Sequence, residues 1–135
     1  MAFLPDIGAY LVANVTDTSL VLGTNLFLGR LPDTPSTCVA VYETGGLTPI
    51  EAMGGSSLPA FIQPRAQLLV RAASYAATAS LAEDCFKKLT LIDNEALSGT
   101  KYLRVEGIQS PFYLERDDQE RVVFACNYQA QRVLT

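Results

Sequence analysis

From Arg121 to Arg132 the chain alternates strictly. Val122, Phe124, Cys126, Tyr128 and Ala130 point one way, while Arg121, Asn127, Gln129 and Gln131 point the other, with Val123 and Ala125 among them. A period of two over this length is a β-strand with one fully apolar face. Such a face must be covered, and the chain carries a matching cover. Between Ser74 and Leu91, Tyr75, Ala79, Ala82, Phe86 and Leu89 recur at steps of four, three, four and three, the stripe of an amphipathic helix lying on a sheet. Ser74 is placed to cap it, and Thr78, Ser80, Glu83, Asp84, Lys87 and Lys88 fall on its outer side.

Other segments read in the same way. Residues 3–15 predict a helix, with Pro5 in the first turn, Asp6 at the positive end, and Ile7, Tyr10 and Leu11 at helical spacing. Short strands are predicted at Leu26–Leu28, Cys38–Glu43 and Phe61–Arg71, and later at Lys101–Glu106, Pro111–Arg116 and Arg121–Arg132. Residues 44–60 hold Gly45, Gly46, Gly54 and Gly55 with Pro49 and Pro59, and lacking periodicity they read as a long loop, functional or disordered. Glu115–Arg121, with Asp117 and Asp118 inside it, reads as a solvated hairpin tip. The order of helix, three strands, helix, three strands predicts one α+β domain over residues 1–135. Its sheet is mostly antiparallel, with about five to six strands and two main helices on one face.

The composition argues against several classes of function. The 135 residues include no histidine, which removes the commonest general base and every Ser-His or Cys-His pair. Three scattered cysteines, Cys38, Cys85 and Cys126, make a poor zinc set and read as buried thiols. No phosphate-loop pattern occurs, and Gly45-Gly46 and Gly54-Gly55 do not open a helix after a strand. The net charge of −4 gives no basic footprint for nucleic acid. No apolar run approaches the roughly 18 residues of a membrane span. The opening residues lack the charged start of a signal peptide, so the chain is expected to stay in the cytosol where it is made. The expectation is a non-enzyme without cofactor or metal, working by protein contact. The apolar fraction of 49% against 18% charged points to self-association.

The segment Leu26–Gly46, LFLGRLPDTPSTCVAVYETGG, holds no catalyst but an unusual connection. With its Gly29-Arg30-Leu31-Pro32-Asp33 and Pro35 turn, Tyr42-Glu43 and Gly45-Gly46, it resembles the tail terminator (tail completion) family of long-tailed bacteriophages, also filed as phage minor capsid proteins. The unit Leu68–Leu89 resembles that family's strand-to-helix segment. Tyr102–Arg132, with its Gln109–Phe112 break, resembles its three-strand end. The tip Asp117–Glu120 departs from the family in lacking a glycine. The resemblance implies a virion protein of the tail neck, assembled in the host bacterial cytoplasm. It implies a homo-oligomeric ring, expected to be a hexamer, that ends tail tube polymerisation. The major tail tube protein and the head–tail stopper or connector are the expected partners, with the tape measure protein as a further contact, while DNA passes through the lumen without specific binding. The alternatives are an adjacent neck protein, either stopper or connector adaptor, and a small cellular ligand-binding domain or enzyme. Candidate interface residues are Arg30, Asp33, Gly45, Gly46, Gly54, Gly55, Glu115, Arg116, Asp117, Asp118 and Arg121. The prolines make the 30–35 connection a rigid elbow between strands.

Overall fold

The computed structural model describes residues 3–50 and 61–133. The element order is α1 (Phe3–Asn14), β1 (Leu26–Leu28), β2 (Cys38–Ile50), β3 (Phe61–Ala72), α2 (Tyr75–Thr90), β4 (Asp93–Leu97), β5 (Thr100–Gly107), β6 (Phe112–Arg116) and β7 (Val122–Val133). The α+β class and the two helices on one face are as expected. The strands form one seven-stranded sheet in the order β1-β2-β3-β7-β5-β4, with β6 also paired to β7. Among the described residues β1 and β2 run parallel, as does an isolated bridge between Leu22 and Leu26, and the other strand pairings are antiparallel.

The alternating strand is the middle of this sheet. β3 lies along the whole of β7, from Phe61 opposite Val133 to Ala72 opposite Val122. The other edge of β7 is shared end to end by β5 and β6. Val122, Phe124, Cys126, Tyr128 and Ala130 join Ala66, Leu68 and Val70 of β3 and Val39 and Val41 of β2 beneath the helices. Ile7 and Leu11 of α1 and Leu81, Ala82, Cys85 and Leu89 of α2 close the core from above. Leu11, Leu68 and Leu81 are at most 1% exposed, and each such side chain contributes about 1.5–3 kcal/mol by leaving water. All three thiols are buried and unpaired. Burial pushes the Cys126 thiol up to about 11, which keeps it protonated and inert.

Four details depart from the sequence reading. The stripe of α2 is rotated: its buried residues are Thr78, Leu81, Ala82, Cys85 and Leu89, while Tyr75 is 56% exposed. Thr78 can lie inside because its hydroxyl donates to the Ser74 carbonyl at 2.7 Å and also lies 3.2 Å from the Val122 carbonyl. Asp6 is fully buried and accepts the Tyr102 hydroxyl at 2.8 Å, so it serves the core as well as the helix end. An unforeseen strand, β4, forms a hairpin with β5. Leu97 pairs with Thr100 across Ser98 and Gly99, whose φ angles are +50° and +84°. Two positive φ values in a two-residue loop match the right-handed twist of the strands.

The fourth departure concerns the predicted 44–60 loop. Its first part is strand: β2 continues past Glu43, with Thr44 opposite Arg65, Leu47 opposite Gln63 and Ile50 opposite Phe61. Two register shifts interrupt the pairing, and the glycines belong to that bulged stretch. A Cβ on Gly46 would sit 2.6 Å from the Gln63 carbonyl oxygen, so the close approach of the two backbones there requires glycine. Gly54 and Gly55 lie outside the described residues.

Asp84, on the outer side of α2, ties the helix layer together. It accepts the Thr16 and Asp17 backbone N–H groups, each at 2.9 Å, and lies 3.9 Å from Lys88. Burial raises its pKa, but the two N–H groups with Lys88 and Lys87 outweigh this and hold it below its ordinary 3.8. A depressed carboxylate contributes stability that is complete above the unfolded pKa and is lost as pH falls through the folded one. Asp84→Ala is therefore expected to unfold at lower urea than the parent at neutral pH, with the gap closing below about pH 4. A gap that stays constant down to about pH 3 in urea titrations contradicts this origin.

Candidate functional site

A strand followed by a parallel neighbour must send its chain back to the starting end, usually over a dozen or more residues. Here residues 29–37 complete the return, because β1 is only three residues long. This crossover contains the Thr34–Pro35 peptide, which is cis. It lies across the sheet face that the helices leave open. Arg71, which alternation places on that face, is 3% exposed. It donates to the carbonyls of Pro32 at 2.6 Å, Pro35 at 2.7 Å and Ser36 at 3.0 Å. Cys38, Ala40, Val123 and Ala125 on this face are also buried. The predicted elbow is thus a strap, tied down by a guanidinium whose fork matches three carbonyls.

A second arginine joins the strap to the hairpin between β6 and β7. Arg121 is 6% exposed. Its Nε donates to Asp117 Oδ2 at 2.7 Å, and its Nη1 donates to the Asp33 backbone carbonyl. The Asp33 carboxylate is 3.9 Å from its Nη2 and stays 88% exposed. Asp117 Oδ1 accepts the backbone N–H groups of Gln119 and Arg121 at 3.0 and 2.9 Å. Desolvation pushes the Asp117 carboxyl up, and these N–H groups with the Arg121 guanidinium more than reverse it, leaving its pKa low. Burial, followed by the neighbouring Arg121 charge, pushes the pKa of Arg71 down, yet a guanidinium remains charged in proteins. Two buried like charges are tolerated here because carboxylates and carbonyls surround them.

Six of the candidate residues therefore meet. Asp33, Glu115, Arg116, Asp117, Asp118 and Arg121, with Gln119, line an open hollow of about 270 Å³. Arg30 lies at the strap's start, with its guanidinium 4.9 Å from the centre of the Phe27 ring, a cation–π contact. Gly45 and Gly46 are elsewhere. Gly46 packs on Gln63, eight residues along β3 from Arg71, or about 26 Å. Arg71 was missed as a site residue. The available signal was an arginine at the end of a strand, facing the side that the proline-rich connection must cross.

The tip also resolves the missing glycine. The Glu120 N–H closes a turn onto the Asp117 carbonyl at 3.0 Å, and Glu120 itself takes φ +63°. A turn followed by a left-handed residue is a common hairpin solution that glycine normally supplies. The larger hollow of about 500 Å³, near Thr90, Ile92 and β5, holds the exposed Arg104–Glu106 ion pair. Among the described residues no cluster of three or more His, Cys, Asp or Glu could hold a metal ion.

Two stability outcomes follow from this geometry. Arg71→Met keeps the length of the side chain but leaves the Pro32, Pro35 and Ser36 carbonyls without their donor, an expected loss of about 2–4 kcal/mol in chemical unfolding. An unchanged unfolding midpoint would mean that the strap is not held by Arg71. Glu120→Gly relieves a strained left-handed residue and is expected to gain about 0.5–1 kcal/mol, net of glycine's greater unfolded entropy.

The family model described as bacteriophage tail terminator protein matches residues 12–134. Among solved structures, one chain of a virion of a native gene transfer agent particle shares the fold at a TM-score of 0.65. That match has 16% sequence identity and covers 98% of this chain and 96% of the other. No curated protein matches the chain.

Proposed function

The chain belongs to the bacteriophage tail terminator family, and we propose that it caps the head-proximal end of a tail tube as a closed ring, a hexamer being the expected form. The observation that carries this reading is the family match over residues 12–134. The whole-length likeness of fold to a chain of a gene transfer agent virion supports it. The role is structural, in a viral tail, and not catalytic. The ring ends tube polymerisation and offers the head connector a docking surface. DNA passes through without being gripped, in keeping with a net charge of −4, which repels phosphates.

The strap and hairpin tip are the proposed contact surface toward tube or connector. Arg121 holds the two together, so exposed Asp33, Glu115, Arg116 and Asp118 are presented in fixed positions. Preorganisation of this kind lowers the entropic cost of docking. The test is electron microscopy of gold-labelled protein added to growing tail tubes. Gold at one tube end, with elongation stopped, is the expected result. Gold confined to filled heads or connectors would move the protein to the adjacent stopper ring. Glu115→Lys with Asp118→Lys reverses two exposed charges and is expected to weaken capping while leaving thermal unfolding unchanged.

A further inference from the structure

An open strand edge exposes backbone N–H and C=O groups, and folded proteins blunt such edges with charge, bulges or a covering segment. Two edges of this sheet are blunted. At β1 the preceding turn folds back: the Leu26 N–H donates to the Val21 carbonyl at 3.3 Å, and the Gly23 N–H to the Leu26 carbonyl at 2.9 Å. β4 carries Asp93 and Glu95 around Asn94, whose φ is +53°. β6 is different. Among the described residues it pairs with β7 alone, and although its register shifts once, between Tyr113 and Glu115, and its end carries Glu115 and Arg116, its middle is apolar and exposed. Tyr113 and Leu114 are 45% and 44% exposed. The exposed Tyr75 ring of α2 lies 6.3 Å from that of Tyr113, and both rest against Phe124. Exposed tyrosines beside an open strand edge are what protein interfaces use.

The same chain has a complementary edge on the other side of the sheet. β1 covers β2 only at Val39–Val41. Beyond Val41, β2 runs on to Ile50 with no strand on its outer side among the described residues, and Leu47 there is 43% exposed. β2 and β7 run in the same direction, since each is antiparallel to β3; β6 is antiparallel to β7. Two copies placed side by side in one orientation therefore bring β6 of one against β2 of the next in antiparallel sense. Two different edges on opposite sides make a head-to-tail contact, and a rotation that repeats it closes a ring.

We infer that the outer edge of β6 pairs with the outer edge of β2 beyond Val41 in a neighbouring copy, covering the Tyr75–Tyr113 patch. This assignment rests on the ring reading above and names its subunit contact. It is tested by mixing Leu47→Cys chains with Leu114→Cys chains in the presence of tail tubes and adding a short bis-maleimide. The three native thiols are buried and stay silent. The expected result is a cross-linked dimer from the mixture and a ladder of higher species from the double variant. A mixture of Leu47→Cys with Lys87→Cys chains, the second cysteine lying on the exposed side of α2, is expected to give little product. Closed rings seen by negative stain in the same samples, with cross-links no more frequent than in that control, overturn the edge assignment and leave the ring standing. Absence of both rings and cross-links overturns both. Leu114→Lys, at an exposed position, is expected to unfold at the parent temperature yet fail to form rings, and normal rings from it overturn the pairing.

Discussion

Every layer of this fold is organised by β7, a strand with partners on both edges and apolar residues on both faces at its first half. Val122, Phe124, Cys126, Tyr128 and Ala130 form the floor on which α2 rests, and Val123 and Ala125 on the reverse face are buried as well. A strand so enclosed allows little variation in register, because a slip of one residue would exchange the two faces along its whole length. β3 is set by this constraint, and β2 through β3. The division of the far edge between β5 and β6 follows from the length of β7, which exceeds that of either partner.

The reverse face raises a different physical problem. A parallel β1–β2 pair forces the chain to cross the sheet, and a crossover carries carbonyl groups that need donors once buried. Arg71 supplies three of those hydrogen bonds from one side chain. Arg121 then couples the crossover to the neighbouring hairpin through Asp33 and Asp117. Two loops that are distant in sequence become one surface with little freedom of its own. For a protein whose work is to meet other subunits at defined positions, that rigidity links the packing of the sheet to the proposed function.

Much of this was legible in the residues. The alternation of Val122–Ala130 and the helical spacing in 74–91 each report a local period, and local periods survive folding wherever one face is buried. The hairpin tip was legible because Asp117 and Asp118 favour turns. Other features were not. β4 reads DNEAL, and its four exposed residues leave no apolar alternation; its only signal was the Ser98-Gly99 turn. The exact stripe of α2 shifted because a threonine hydroxyl found backbone acceptors, which spacing cannot foresee. Gly45 and Gly46 looked like loop residues, yet glycine also serves where two strands approach too closely for a side chain.

The sequence by itself determined the α+β class, the apolar floor of the sheet, the helix that covers it, and the absence of histidine-based chemistry, because each of these depends on residue type and short-range spacing. Only the tertiary structure decided that Asp33 and Arg121, 88 residues apart, share one site, that Arg71 holds the strap, and that β6 and the far part of β2 are left open on opposite sides. Those outcomes depend on which strands become neighbours, and strand order is set by the joint packing of all the elements and not by the pattern within any one of them.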